Sequence, residues 1–134
     1  MTTLKLVRNV MKTFVISLSV LVCSITSTAK TKVTLSATQY HPPYHGAQTA
    51  SGSKIDVRKV KNGKTRWVAM SRDMLKVYPF GTKIYVNSEK HPELNGVWIV
   101  KDKMAARHKK CIDFLLAKGD SNLGRTNVEV SHVL

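Results

Sequence analysis

Apolar and polar residues alternate with a period of two along most of the chain after residue 30. Side chains on a β-strand point alternately to its two faces, so this period is typical of strands that bury one face. The alternation is clearest where Val33, Leu35 and Ala37 are interleaved with hydroxyl residues. On the same grounds we predict strands at residues 32–40, 55–60, 65–70, 82–87, 97–102, 112–116 and 127–133.

Two Asn-Gly pairs mark turns between these strands. Asn62-Gly63 separates the second and third predicted strands, and this pair favours the positive φ angles of a tight hairpin turn. The sequence therefore predicts that these two strands form a hairpin. Asn95-Gly96 is the second turn signal, and it lies between the fourth and fifth strands.

Helix signals are short. Ser71 is a possible N-cap, and Pro79 limits the helix that follows it to one or two turns. Residues 104–108 predict another short turn. Six or seven strands at short spacing then predict a compact all-β barrel or sandwich. Nothing repeats internally, so we expect one domain.

The first 29 residues differ in composition from the rest. Three basic residues precede an apolar run at 14–22, and the segment ends with the small residues Ser27 and Ala29. This order is typical of a secretory signal peptide at residues 1–29. The apolar run is shorter than the roughly 18–20 residues that cross a bilayer, so we expect no stable membrane span.

Export predicts a mature chain of about 105 residues from Lys30. A start at Met11 is an alternative. So is lipid attachment at Cys23, although the bulky Val22 stands where that processing prefers a small residue. The mature chain keeps Cys111 as its single cysteine, which excludes an intramolecular disulfide.

The mature chain is strongly basic. Three of the 22 basic residues and none of the 8 acidic ones lie in residues 1–29, which leaves a net charge of +11. Such a charge favours polyanionic partners. Export and the lack of a recognition motif argue against nucleic acid, so peptidoglycan or another anionic wall glycan is the expected partner. The alternative is a solvated basic surface with no specific ligand.

Four stretches, in this order, resemble the double-psi β-barrel group that includes RlpA-like proteins and three-aspartate domains. They are residues 37–40 with 49–52 and Asp56, residues 68–73 leading into 79–86, residues 96–102, and residues 107–114. The resemblance implies that residues 30–134 form a six-stranded double-psi β-barrel with an open groove. This group is related to membrane-bound lytic transglycosylase A and to expansins, which loosen walls without hydrolysis.

The resemblance also implies a catalytic acid. In the transglycosylase pattern an Asp at a strand end precedes the acid by eleven residues, as Asp102 precedes Asp113 here. The apolar neighbours of Asp113 would keep it protonated, and Asp73 would raise its pKa further if it shared the groove. The alternatives are structural roles for Asp113 and Asp102, and for Asp73 a place in a helix's first turn.

Several further residues are candidates for binding the glycan. Tyr40 and Tyr44 flank a proline-rich loop and suit stacking against sugar rings, and the rest belong to the resembling stretches. The full set is Tyr40, Tyr44, Thr49, Ser51, Asp56 and Arg107. His41 and His45 have no third ligand in view, so we expect no metal and no cofactor.

The pattern departs from the RlpA-like group at three places. Ser53 stands where those proteins carry an acidic residue, residues 71–73 replace a His, and Lys103-Met104 replaces a Gly-Gly pair. These departures weaken the prediction of enzymatic activity more than the prediction of the fold. The leading hypothesis is an exported, monomeric lytic transglycosylase. Its rivals are a non-catalytic wall-binding module in the manner of expansins and a protein-binding barrel.

Overall fold

The computed structural model describes residues 30–134. The predicted signal peptide and Cys23 lie outside the described residues. In chain order the elements are β1 (Val33–Tyr40), α1 (Val57–Lys61), β2 (Trp67–Met70), α2 (Arg72–Leu75), β3 (Lys83–Asn87), a 3₁₀ turn (Pro92–Leu94), β4 (Gly96–Lys103), β5 (Cys111–Leu115) and β6 (Thr126–His132).

The six strands close into a barrel in the order β1-β5-β2-β4-β3-β6. β1 pairs with β5 and β2 pairs with β4 in parallel, while the other four pairings are antiparallel. Each strand thus has two hydrogen-bonded neighbours, and the described barrel has no free edge. The prediction of an all-β, six-stranded barrel with short helical turns is confirmed.

The inward residues of the alternating pattern form the main core. Leu35, Ile84, Val100 and Phe114 are fully buried in it. Trp98 packs edge-on against Phe114, with ring centroids 4.8 Å apart. Aromatic pairs in this edge-to-face geometry stabilise a fold by more than the burial of their surface area alone. The period of two therefore predicted the buried face of the barrel correctly.

The predicted strand at residues 55–60 is wrong, and so is the Asn62-Gly63 hairpin. Asp56 caps helix α1 instead, because its Oδ1 accepts hydrogen bonds from the backbone N–H groups of Arg58 (2.9 Å) and Lys59 (3.3 Å). Asn62 is the C-cap, and Gly63 follows it with a φ of +74°. Val57 and Val60 favour β-structure, but capping by Asp56 and the burial of one helix face stabilise a helix here instead.

The other local predictions fare better. Helix α2 begins after Ser71 and ends before Pro79, and Gly96 begins β4 with a φ of +114° after the 3₁₀ turn. β3 and β4 pair antiparallel on either side of that connection. Residues 104–108 form a turn without helix, closed by the His108 N–H bonding to the Ala105 carbonyl at 3.1 Å.

A second, smaller apolar cluster lies outside the barrel core. Ile55 and Val60 from the α1 region are buried there against Leu115, and Tyr40 and Trp67 pack partly onto it. This cluster fixes α1 and the preceding loop beside the ends of β1 and β5. None of the helices within residues 30–134 is both long and apolar enough to cross a membrane.

Candidate functional site

Four adjacent strands align one row of residues across the barrel wall. Thr38 on β1 lies opposite Asp113 on β5, Asp113 lies opposite Ala69 on β2, and Ala69 lies opposite Asp102 on β4. The pairing of β2 with β4 shifts between Val68 and Ala69. Such an irregularity re-aims side chains, and here it brings Asp102 into register with Ala69.

Ala69 forms the floor between the two aspartates. Its neighbours Val68 and Met70 are buried in the barrel core, so the alternation of the strand turns Ala69 to the outer face. A methyl group fills little of the space between Asp102 and Asp113. The result is a cleft of about 220 Å³, lined by Tyr40, Ala69, Asp102, Lys103, Met104, Ala105, His108 and Asp113.

Asp102 is held by three hydrogen-bond donors. Its Oδ1 accepts from the backbone N–H groups of Ala50 (2.8 Å) and Lys103 (2.9 Å), and its Oδ2 accepts from the Tyr40 hydroxyl (3.4 Å). These bonds use both carboxyl oxygens as acceptors. Asp102 is therefore held in one position at one side of the cleft.

Asp113 is in a different environment. It is half-buried, and the hydroxyl of Thr38 donates to its Oδ1 at 2.8 Å. Burial raises the pKa of Asp113 above its ordinary value, and the charge of Asp102 adds to this, while the Thr38 hydroxyl and the nearby His108 oppose it. The two carboxyl groups of one cleft thus lie in different environments, because Asp113 is partly desolvated whereas Asp102 accepts three hydrogen bonds.

Tyr40 links the cleft to the second apolar cluster. Burial first, and then the negative charges of Asp102 and Asp113, raise the pKa of its hydroxyl far above the usual range. Tyr40 consequently remains a neutral donor to Asp102 at any physiological pH. Its ring is partly buried against the second apolar cluster and also lines the cleft, so Tyr40 positions Asp102 and presents part of its side chain to a ligand.

Thr49 and Ser51 act on the cleft indirectly. Their hydroxyl oxygens lie 3.0 Å apart, and Thr49 Oγ1 also accepts from the Ser53 N–H at 3.2 Å. The Ser51 N–H donates to the Lys101 carbonyl at 3.2 Å. These bonds attach the turn to the end of β4 and aim the Ala50 N–H at Asp102. Neither hydroxyl lines the cleft.

The remaining predicted site residues lie apart from the cleft. Asp73 accepts from the Lys110 N–H at 3.0 Å, which fixes the start of β5, and it is not part of the cleft lining. Asp56 caps α1. Tyr44 and Arg107 are exposed, and neither lines the cleft. The structure therefore brings together Asp102, Asp113 and Tyr40 from the predicted set.

Five lining residues of the cleft were not among the predicted site residues, and neither was Thr38, which bonds to Asp113; the five are Ala69, Lys103, Met104, Ala105 and His108. Thr38 and Ala69 stand inside the resembling stretches, but their part in the site depends on which strands are neighbours. His108 also stands inside a resembling stretch, residues 107–114, and its place in the lining depends on the turn that follows β4. Within residues 30–134, no group of three or more His, Cys, Asp or Glu side chains is arranged to hold a metal ion.

Comparisons with known proteins support the fold. Neither a protein-family model nor a curated protein sequence matches this chain significantly. Among solved structures, an apo expansin of Clavibacter michiganensis matches with a TM-score of 0.54 and 19% identity over 78% of this chain. A Streptomyces papain inhibitor matches with a TM-score of 0.47 and 18% identity, covering 78% of this chain and 96% of the inhibitor.

The chain has an expansin-like, double-psi β-barrel fold. At 19% identity the likeness to the expansin extends to fold alone, and the match spans about half (51%) of the expansin's own length. The function of the cleft must therefore be argued from its own residues.

Proposed function

We propose that this protein is exported and binds peptidoglycan or another anionic wall glycan at the cleft between Asp102 and Asp113. The observation that carries the proposal is the cleft itself, a groove with polar walls in a strongly basic barrel. Membership of the RlpA-like and three-aspartate group belongs to the same proposal, since it rests on the order of the four stretches. Export rests on residues 1–29 and is tested by N-terminal sequencing of secreted protein, where Lys30 is the expected first residue.

The charge distribution supports an anionic ligand. Among residues 30–134, Lys32 with Glu129 is the one Lys or Arg side chain within 4.0 Å of a carboxylate. Asp56, Asp73 and Asp102 instead accept hydrogen bonds from backbone N–H groups. Most of the positive charge is thus uncompensated and available to a polyanion. Lys103, at the cleft wall, is the cation best placed to contact the bound chain.

Lytic transglycosylase activity is the second function that we propose for this cleft, and the environment of Asp113 favours it. The protonated carboxyl would donate its proton to the glycosidic oxygen as the bond from that oxygen to the anomeric carbon breaks. The 6-hydroxyl of the same sugar would then bond to that carbon and return its proton to Asp113. One carboxyl serves as acid and then base, while the Asp102 carboxylate, held in place by its donors, would stabilise the developing cation.

One experiment separates these two functions. Wild-type protein and Asp113→Asn are incubated with purified peptidoglycan, bound protein is measured by co-sedimentation, and soluble products are identified by mass spectrometry. A transglycosylase releases 1,6-anhydro sugars, and Asp113→Asn lowers the rate by roughly 10²–10⁴-fold, the usual scale of general acid catalysis. Glu89→Gln, which removes one negative charge from an exposed position outside the cleft, is the control.

Binding is read from the same samples. It should persist in Asp113→Asn and weaken as salt is raised, because cation–polyanion contacts are screened. Binding without released products identifies a non-catalytic wall module. No sedimentation of wild-type protein with peptidoglycan or with a teichoic-acid-bearing wall would overturn the binding proposal.

A further inference from the structure

A second cleft lies on another part of the barrel. It has a volume of about 260 Å³ and shares no lining residue with the aspartate cleft. Helix α1, the 3₁₀ turn and the segment after β5 surround it, and Leu116 contributes partly exposed apolar surface. Because a water molecule in the liquid occupies about 30 Å³, this space holds a ligand of a few to a dozen heavy atoms.

Arg66 gives the second cleft an incompletely used guanidinium. Its Nη2 donates to the carbonyl oxygens of Leu94 and Asn95, both at 3.1 Å, and the guanidinium carbon lies 4.3 Å from the centre of the Trp98 ring. Its Nε is buried and has no hydrogen-bond partner within residues 30–134. Burial lowers the pKa of Arg66. A guanidinium has five N–H donors in a fixed plane. Nη2 is bonded to the 3₁₀ turn and Nε is closed to solvent, so Nη1, which has no hydrogen-bond partner within residues 30–134, is the donor that an entering carboxylate can reach.

The cleft also contains charges of both signs that do not pair with each other. Lys61 and Arg66 line it with Glu93 and Asp120, yet no ion pair joins any two of them within 4.0 Å in the described part of the chain. Glu93 is engaged by His91 at 3.1 Å. Asp120 is exposed, and its carboxylate accepts no hydrogen bond from a described residue. Two cations, Lys61 and Arg66, and one carboxylate, Asp120, therefore line the cleft without an ion pair to a described residue.

We infer that this second cleft binds the zwitterionic end of an amino acid or short peptide. The ligand carboxylate bonds to Arg66 and is attracted by Lys61, and the ligand ammonium pairs with Asp120. Its side chain lies against Leu116, the partly buried apolar residue of the lining. A plain anion would leave Asp120 as a repulsive neighbour, and a plain cation would face Arg66, so a ligand with both charges fits best. This inference does not depend on glycan binding at the aspartate cleft.

The test titrates alanyl-alanine, in its L and D forms, into ¹⁵N-labelled protein spanning residues 30–134. We expect saturable shifts of the Lys61, Leu94 and Asp120 amides with a millimolar dissociation constant. N-acetylated and C-amidated dipeptides lack one charge each and should bind about tenfold more weakly, the fold-change expected when a hydrogen bond to a charged group is lost. Equal binding of the zwitterion and the N-acetyl form would refute the inference, as would unshifted cleft amides.

Two variants keep the result interpretable. Arg66→Met removes the guanidinium and also its bonds to the 3₁₀ turn. A loss of dipeptide binding in this variant supports the inference only if its NMR spectrum shows a folded barrel. Asp120→Asn leaves those bonds intact and should weaken binding of the zwitterion about tenfold, while binding of the N-acetylated form, which has no ammonium, should not change. Asp113→Asn in the other cleft should leave the dipeptide shifts unchanged, and a loss of dipeptide binding in it would contradict the assignment to the second cleft.

Discussion

Replacing Thr38 with valine removes the hydroxyl that donates a hydrogen bond to Asp113 while keeping the shape of the side chain. The bond is 2.8 Å long and partly buried. Because it favours the charged carboxylate, its loss raises the pKa of Asp113 further above the ordinary value. If Asp113 is a general acid, the alkaline limb of the pH profile for product release should therefore move to higher pH in Thr38→Val.

The stability effect can be estimated from the same bond. A hydrogen bond to a charged group contributes about 1.5–3 kcal/mol, and the lower part of this range applies because Asp113 is only half-buried. We expect a loss of about 1.5–2 kcal/mol at pH 7, or roughly 6–12 °C in melting temperature for a domain of this size. Below the ordinary aspartate value of 3.8 the carboxyl is neutral, and the loss should be about half as large.

The measurement is urea unfolding at pH 7 and pH 3, together with ¹³C titration of the Asp113 carboxyl. Thr34→Val is the matched control, because Thr34 lies on the same strand and the same face but is exposed and bonds to no carboxylate within residues 30–134. An equal loss at both pH values, or an Asp113 pKa that falls in Thr38→Val, would show that the hydroxyl does not favour the charged form.

Two further substitutions test the placement of other residues. Asp56→Ala should lower the melting temperature because the first turn of α1 loses its cap. Asp56→Asn should retain most of the stability, because Asn also caps helices. If glycan binding by Asp56→Asn is undiminished, the role of Asp56 is structural. Ala69→Leu should fill the gap between Asp102 and Asp113 and abolish glycan binding in the sedimentation assay without changing any charge. The control Ala106→Leu lies on the exposed loop nearby and should leave glycan binding unchanged. Wild-type binding by a folded Ala69→Leu protein would place the glycan elsewhere.

Local patterns predicted most of the strands and failed at α1. In β1, β3 and β6 the alternation of apolar and polar residues matches the burial observed. At residues 55–60 the same residue types form a loop and a helix, because Asp56 caps the backbone and Val60 has the second apolar cluster to pack against. The capping carboxylate was visible in the sequence, but the apolar partner Leu115 comes from a distant strand.

Part of the candidate site, too, could be predicted from the sequence, and part was decided by the tertiary structure. The spacing of Asp102 and Asp113, the apolar neighbours of Asp113 and the positive charge are properties of the sequence alone, and they pointed to a carboxyl pair in a basic protein. The position of Asp73 away from that pair, and the roles of Thr38 and Ala69, were decided by the strand order β1-β5-β2-β4. Alternation specifies which face of a strand is buried but not which strand lies beside it, because pairing partners are chosen by packing between residues far apart in the chain.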